Sequence, residues 1–286
     1  MPHLVLYGFG EAGQAIADGW RQPDVRVFDI LLAKGELGEP LRKRADEIGV
    51  TACATPAEAL AGAKAVLSVV TADQAVAAAT AAAAHLPEDA FWFDGNSCSP
   101  GSKRTAAEII ASAGGRYVDM AIMAPIHPRK HRTPVLLSGP HASDSLALMQ
   151  SLDMRAQIAG DEIGQASAIK MLRSVIIKGL EALTAESFLA ARRAGVEEAV
   201  LASLQSSDPG IDWQARGAYN LERMLVHGAR RAAEMNEVAA TLRELGISDR
   251  MASATAIWQA ALADLDLAPG EDRLDARADA ILARMR

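Results

Sequence analysis

The 286-residue chain has little cysteine, few aromatic residues, no excess of positive charge and no long apolar run. Each shortage excludes a class of protein. Two cysteines, Cys53 and Cys98, build no disulfide framework and suit a reducing, cytoplasmic setting. Lys and Arg number 29 against 36 Asp and Glu, a formal net charge of −7, so no broad basic surface exists to neutralise nucleic-acid phosphates. No apolar stretch is long enough to span a bilayer, and residues 1–20 read as a strand and turn rather than a signal peptide, so no membrane partner is expected. Six histidines are scattered. His127 and His131 are four apart, but Pro128 between them and Pro134 after them break the helix that a two-histidine metal site needs, so no metal is expected.

What the chain does have is a glycine-rich turn at its start. The apolar run Leu4-Val5-Leu6-Tyr7 leads into Gly8-Phe9-Gly10-Glu11-Ala12-Gly13, and a helical run follows from Gln14. In a strand, G-x-G-x-x-G turn and helix, the first glycine permits the tight turn, the second admits a pyrophosphate and the third lets helix and strand pack closely. The unpaired N–H groups of the helix face the anion. A second apolar strand, Val25–Phe28, ends at Asp29, 21 positions after Gly8. A carboxylate about 20 residues along accepts the ribose hydroxyls of a dinucleotide. It also repels a 2′-phosphate, so Asp29 favours NAD over NADP. Lys34, Arg42, Lys43 and Arg44 read as a solvated helix face, though they leave NADP open as the alternative.

The first half alternates strands and helices. A polar helix near Pro40–Ile48 precedes a short strand at Val50–Cys53. Thr55, Pro56 and Glu58 have the spacing of a helix start. Lys64–Val70, Ala90–Phe93, Tyr117–Ile122 and Val135–Leu137 read as strands, with helices at Gln74–His85 and Ser102–Ala113. Val70, Thr71 and Ala72, at the end of one such strand, join the cofactor set. The alternation predicts a mostly parallel sheet with helices on both faces. From Ile163 onward the periodicity is helical, beginning with one long helix over Ile163–Arg193 and broken at Gly195, Ser206–Gly210, Gly246 and Pro269-Gly270. The expected architecture is an α/β N-terminal Rossmann domain over 1–160 that binds the dinucleotide. An all-α C-terminal domain over 161–286 follows, for substrate and dimerisation, with a cleft at the junction.

Lys170 is the sharpest catalytic candidate. The small residues Gly164, Ala166, Ser167 and Ala168 precede it, and Ile169, Met171 and Leu172 surround it in the first turns of the long helix. Partial desolvation and the positive nicotinamide ring of an oxidised cofactor both lower an ammonium's pKa toward the value a general acid/base needs. By spacing alone, a solvated surface lysine is the simpler reading.

Four features in order resemble the β-hydroxyacid dehydrogenases, the group of 3-hydroxyisobutyrate, tartronate semialdehyde and 6-phosphogluconate dehydrogenases. They are G-F-G-E-A-G at Gly8–Gly13, D-G-N-S-C-S-P at Asp94–Pro100, the strand and loop after Tyr117-Val118-Asp119, and Gly164 six residues before Lys170. The resemblance covers roughly residues 4–190 and implies a hydride-transferring oxidoreductase acting on a β-hydroxy acid or its carbonyl form. It implies Lys170 as general acid/base, Asn96 and Ser97 beside nicotinamide and substrate, and a homodimer formed through the helical domain. The chain also departs from the family. The family's D-A-P-V-S-G-G is here Asp119-Met120-Ala121-Ile122-Met123-Ala124-Pro125, the asparagine four residues after the lysine is Ser174, and Ala166 replaces a glycine. These features resemble a bacterial branch with a C-terminal domain of unknown function.

The altered loop leaves the substrate open, with Met123 and Ser174 at the family's contact positions. The basic stretch His127–Arg132 suits an anionic substrate, although a solvated loop is the simpler reading. His227 and Arg231, four apart on a helix, share a face and could grip a carboxylate, or Arg231 could pair with Glu234 in helix packing. Gly228 within that helix implies close packing or ligand approach. Cys98 reads as a small packing residue. The alternatives to a dehydrogenase are an imine reductase, against which Lys170 argues, and a non-catalytic dinucleotide-binding protein.

Overall fold

A computed structural model describes residues 3–21 and 24–285. The chain divides into two compact units, Met1–Met171 and Leu172–Arg286.

The first unit holds one eight-stranded sheet in the order β3-β2-β1-β4-β5-β6-β7-β8. Its strands are β1 (Leu4–Tyr7), β2 (Val25–Phe28), β3 (Thr51–Cys53), β4 (Ala65–Ser68), β5 (Phe91–Asp94), β6 (Arg116–Ile122), β7 (Val135–Ser138) and β8 (Ala156–Gly160). From β3 across to β6 every pairing is parallel. Strand β7 turns back against β6, with Ile122 opposite Val135, and β8 runs parallel to β7. The parallel strands are continuous apolar runs because both faces are covered. Leu4, Leu6, Phe91 and Phe93 pack with Ile16 and Trp20 on one face, and Val5, Tyr7, Val66 and Trp92 pack with Ala79 and Ile110 on the other.

The helices of this unit are α1 (Glu11–Trp20), α2 (Gly35–Ile48), α3 (Pro56–Leu60), α4 (Ala75–Ala83), α5 (Pro100–Ser112) and α6 (Ala142–Ser151). Helix α3 starts as its sequence spacing indicates: the Glu58 N–H donates to Thr55 Oγ1 at 3.2 Å, and the Ala54 N–H donates to Glu58 Oε2 at 2.9 Å. Two elements carry weak signals and were not anticipated, α6 and the edge strand β8. Helix α2 also begins earlier than its polar pattern suggests, with Pro40 inside its first turns.

Helix α7 (Gln165–Ala194) begins in the first unit and continues into the second. The second unit adds α8 (Glu197–Ser207), α9 (Trp213–Glu244), α10 (Arg250–Ala263) and α11 (Leu274–Arg284). Phe188, Leu189, Leu221, Met224, Leu262 and Ile281 form its core. Gly228 is required by close packing, since a Cβ there would collide with the Gln259 carbonyl oxygen of α10. Among the described residues no helix is long and apolar enough to cross a membrane.

Candidate active site

The Gly8–Gly13 turn connects β1 to α1. Gly8 adopts φ +107°, and a Cβ there would lie 2.7 Å from the Val69 carbonyl oxygen. A Cβ on Gly13 would strike the Gly8 carbonyl oxygen, so α1 can approach β1 only with glycine at that position. Gly10, the N-cap of α1, has no neighbouring heavy atom within 4 Å of where its Cβ would be. The first intrahelical bond is Gln14 N–H to Gly10 O, which leaves the Glu11, Ala12 and Gly13 N–H groups at the open helix end. An open, N–H-lined helix start with room over its capping glycine fits a pyrophosphate.

Asp29 lies at the carboxyl end of β2 and is tied to this turn. Its Oδ2 accepts the Phe9 N–H at 2.9 Å, and its Oδ1 accepts the Leu31 N–H at 3.0 Å. The Phe9 N–H is therefore already bonded, and the phosphate-facing donors are those further into α1. Arg42 donates to the Leu32 and Gly35 carbonyls at 2.6 Å each and shapes the loop after Asp29. Arg44 pairs with Glu47.

The other strand ends converge beside the turn. The Val70 N–H donates to Asn96 Oδ1 at 2.7 Å, while Asn96 Nδ2 donates to Ser68 Oγ at 3.0 Å. Asn96 thereby joins the ends of β4 and β5, with Thr71 and Ala72 opening a 3₁₀ turn directly after. Ser97 follows, half-buried, and Lys170 Nζ donates to Ser97 Oγ at 2.6 Å. Lys170 and Ser97 are 73 residues apart in sequence, and both lie in the first unit.

Beneath this pair is a buried charged cluster that the sequence reading missed. Lys103, Asp94 and Asp119 are fully buried. Lys103 Nζ donates to the Asp94 carbonyl at 2.5 Å and to Asp94 Oδ1 at 2.9 Å, and lies 3.4 Å from Asp119 Oδ1. Burial pulls the Lys103 pKa down, but the two carboxylates outweigh it and hold the group above the usual lysine range. The Tyr117 hydroxyl donates to Asp94 Oδ2 at 2.8 Å, and burial raises its pKa well above that of an ordinary tyrosine. Asp119 Oδ2 accepts the Gly164 N–H at 3.2 Å, the Ser167 N–H at 3.0 Å and the Ser138 hydroxyl at 3.0 Å, which caps the start of α7. One signal could have exposed Lys103: it shares a helical face with Ala106, Ala107 and Ile110.

The remaining candidates are distributed as follows. Met123 follows β6, and its N–H donates to the Pro134 carbonyl at 2.9 Å. The basic loop is largely paired within the first unit, Lys130 with Asp18, and Arg132 and His131 with Asp153. It lines a cavity of about 590 Å³ with Arg21 and Arg155. In the second unit, Ser174 is buried on α7 and His227 is half-buried on α9. Arg231, also on α9, donates to both oxygens of Glu181 at 2.9 Å, so its partner is Glu181 rather than Glu234. Glu234 instead accepts Lys178 Nζ at 2.5 Å and Arg230 Nη1 at 2.9 Å.

Comparison with known proteins agrees with this geometry. Residues 4–148 match the family model "NAD binding domain of 6-phosphogluconate dehydrogenase", and residues 191–262 match a domain of unknown function. A conserved hypothetical protein from Sinorhizobium meliloti 1021 is 35% identical, with a TM-score of 0.76, covering 100% of this chain and 97% of that one. The conserved protein MTH1747, described as structurally similar to 3-hydroxyacid dehydrogenases, is 32% identical, with a TM-score of 0.69, over 91% of this chain and 96% of its own. A Mycobacterium tuberculosis 3-hydroxyisobutyrate dehydrogenase shares the fold, with a TM-score of 0.72 at 16% identity over 98% of both chains. The chain belongs to the β-hydroxyacid dehydrogenase family, in a divergent branch that joins a nicotinamide-dinucleotide-binding domain to a C-terminal domain of unknown function.

Proposed function

We propose that the protein is an NAD-dependent oxidoreductase that interconverts a β-hydroxy acid, or a related carboxylate, and its carbonyl form. The observation that carries this reading is the 2.6 Å bond from Lys170 Nζ to Ser97 Oγ, directly after the Asn96 turn that joins β4 and β5. An ammonium anchored on a hydroxyl there supports proton exchange with a substrate oxygen.

The dinucleotide would be held by Gly8 to Gly13, by Asp29 at the ribose, and by Val70, Thr71, Ala72 and Asn96 along the strand ends. When bound, its nicotinamide supplies the hydride acceptor or donor. Lys170 in its neutral form takes the hydroxyl proton at Nζ during oxidation, and as ammonium returns it during reduction. Ser97 orients the reacting oxygen and holds Lys170 in place. Asp29 supports NAD over NADP, because its carboxylate repels a 2′-phosphate, and Arg42 beside it is already bonded to backbone carbonyls.

Met123, Ser174 and His227 are the proposed substrate contacts. Arg231 is the least suited of that set, since its guanidinium is engaged with Glu181. A homodimer through the helical domain is supported by Leu172, Ile176, Leu180 and Leu183, which form an exposed apolar stripe at helical spacing on α7. Neither cysteine is in a disulfide, which supports a cytoplasmic setting.

The decisive experiment screens hydroxy acids and the corresponding carbonyls with both cofactors, on wild type and Lys170→Met. The mutant is expected to retain NADH binding by fluorescence while kcat falls by several orders of magnitude. Unchanged turnover in Lys170→Met rejects the mechanism, and failure of every substrate despite NADH binding favours a non-catalytic dinucleotide-binding protein. Asp29→Ser is expected to narrow the NAD/NADP preference, and an unchanged ratio removes its ribose role.

A further inference from the structure

We infer that Lys103 is a positioning residue: clamped between Asp94 and Asp119, it fixes the Ser97 turn against the first turn of α7 and so keeps Lys170 Nζ on Ser97 Oγ. The inference rests on the reading of Lys170 and Ser97 as the reacting pair.

Contacts run outward from the ammonium toward two strands. Toward β5, Lys103 Nζ holds both the backbone carbonyl and Oδ1 of Asp94. That same Oδ1 accepts the Asn96 N–H at 3.0 Å, so the turn that presents Ser97 is bonded to the carboxylate that Lys103 grips. Tyr117 occupies the other oxygen of Asp94 at 2.8 Å and leaves the carboxylate no freedom to rotate. Toward β6, Lys103 faces Asp119 Oδ1 at 3.4 Å. Asp119 Oδ2 binds the Gly164 and Ser167 N–H groups, the opening of the helix that carries Lys170 one turn later. Ser138 of β7 braces the same point, donating to Asp119 and accepting the Ala166 N–H at 3.0 Å.

Both halves of the reacting pair thus connect to one fully buried ammonium, hydrogen-bonded to Asp94 and ion-paired without a hydrogen bond to Asp119, and each carboxylate ends on backbone N–H groups. An ion pair retained for stability alone has no need of this wiring, because well-packed apolar side chains serve as well or better. A misplacement of about 1 Å in a catalytic pair is enough to cost rate, which gives a buried brace a function.

The test reads the Lys170–Ser97 bond itself. Lys170 in the cofactor-free protein is acetylated with acetic anhydride, and its rate is followed by peptide mass spectrometry relative to the exposed Lys43. Losing a hydrogen bond to a charged group should accelerate Lys170 labelling by about tenfold or more. Ser97→Ala sets the scale for complete loss of the bond. Lys103→Met is expected to reach that rate, and Tyr117→Phe, which removes only the Asp94 brace and keeps the ion pairs, to reach about twofold to threefold. Leu60→Ala, a buried substitution in α3, controls for general destabilisation and is expected to leave Lys170 labelling at the wild-type rate. If Lys103→Met does not fold, Tyr117→Phe decides. Labelling in both variants that matches Leu60→Ala overturns the inference. NADH binding is measured in parallel on wild type: its absence rejects the proposed oxidoreductase, while the labelling result still reports on the brace.

Discussion

Each of the two units buries a set of charged side chains, and the two sets are connected differently. In the first unit, Lys103 is shared by Asp94 and Asp119, and those carboxylates also bind the N–H groups of Asn96, Gly164 and Ser167. In the second, side chains bond mostly to one another: Lys178 to Glu234, Arg231 to Glu181, and Gln259 Nε2 to Glu181 at 2.8 Å. The ionisation of the two sets differs in the same way. The carboxylates outweigh burial and raise Lys103, whereas burial prevails at Lys178, which it lowers, and at Glu181, which it raises. A charge paired with two carboxylates that hold backbone turns organises loops. Charges paired side chain to side chain between helices fix helix register and contribute less to holding them charged.

Replacing whole pairs gives the largest contrast. Lys103→Met with Asp119→Leu strands the Gly164 and Ser167 N–H groups, at about 1–3 kcal/mol each, and removes the ammonium from Asp94, so chemical denaturation should show a loss above about 4 kcal/mol. Lys178→Met with Glu234→Leu removes a buried side-chain pair and releases Arg230, half-exposed, to solvent, and should be neutral, or stabilising by about 1–4 kcal/mol. Equal losses in the two units would erase the distinction.

Single removal comes next. Lys103→Met leaves two buried carboxylates facing each other and should cost about 3–5 kcal/mol, whereas Lys178→Met leaves Glu234 with Arg230 and should cost about 1–3 kcal/mol. Tyr117→Phe, compared with wild type by the same denaturation curve, should lose about 1.5–3 kcal/mol, the value of one hydrogen bond to a charged group.

The smallest effect is in pH. Because the folded-state pKa of Lys103 is raised, its stabilisation is complete below the unfolded-state value of about 10.4 and is lost only as pH rises beyond it toward the folded value. The gap in Tm between wild type and Lys103→Met should therefore stay constant from neutral pH to about 10 and narrow above that. A gap that narrows near neutral pH would mean that Lys103 is not held charged by its two carboxylates.

Local signals made much of this legible. The glycine turn at Gly8–Gly13, the strand ending at Asp29 and the helix start at Thr55 are each written within a few residues, and the β-α-β alternation follows from apolar runs. Lys170 and Ser97 were separately identifiable, though their contact joins positions 73 residues apart. Lys103 was not: its shared helical face with Ala106, Ala107 and Ile110 hints at burial, but the carboxylates that make burial tolerable, Asp94 and Asp119, are supplied by other elements. Strand β8 escaped for another reason: at the sheet edge its residues are half-buried or exposed, so the apolar pressure that marks central strands is missing. The pairing of Arg231 with Glu181 lies 50 residues apart on two helices and has no local signature.

The reversal of β7 has a consequence for how this fold can change. Parallel neighbours must be joined by a crossover that is itself packed on the sheet, whereas an antiparallel pair accepts a surface connection. Residues 123–134 are such a connection, between Ile122 and its ladder partner Val135. Within it Ile126 packs in the core, Lys130 pairs with Asp18 of α1 and Thr133 is buried, so exchanges are absorbed most readily at the exposed Pro125, His127, Pro128 and Arg129. Met123-Ala124-Pro125, which stands where the family's motif has serine and glycines, opens this connection. Exchange at its exposed positions is therefore the change to this connection that disturbs the scaffold least.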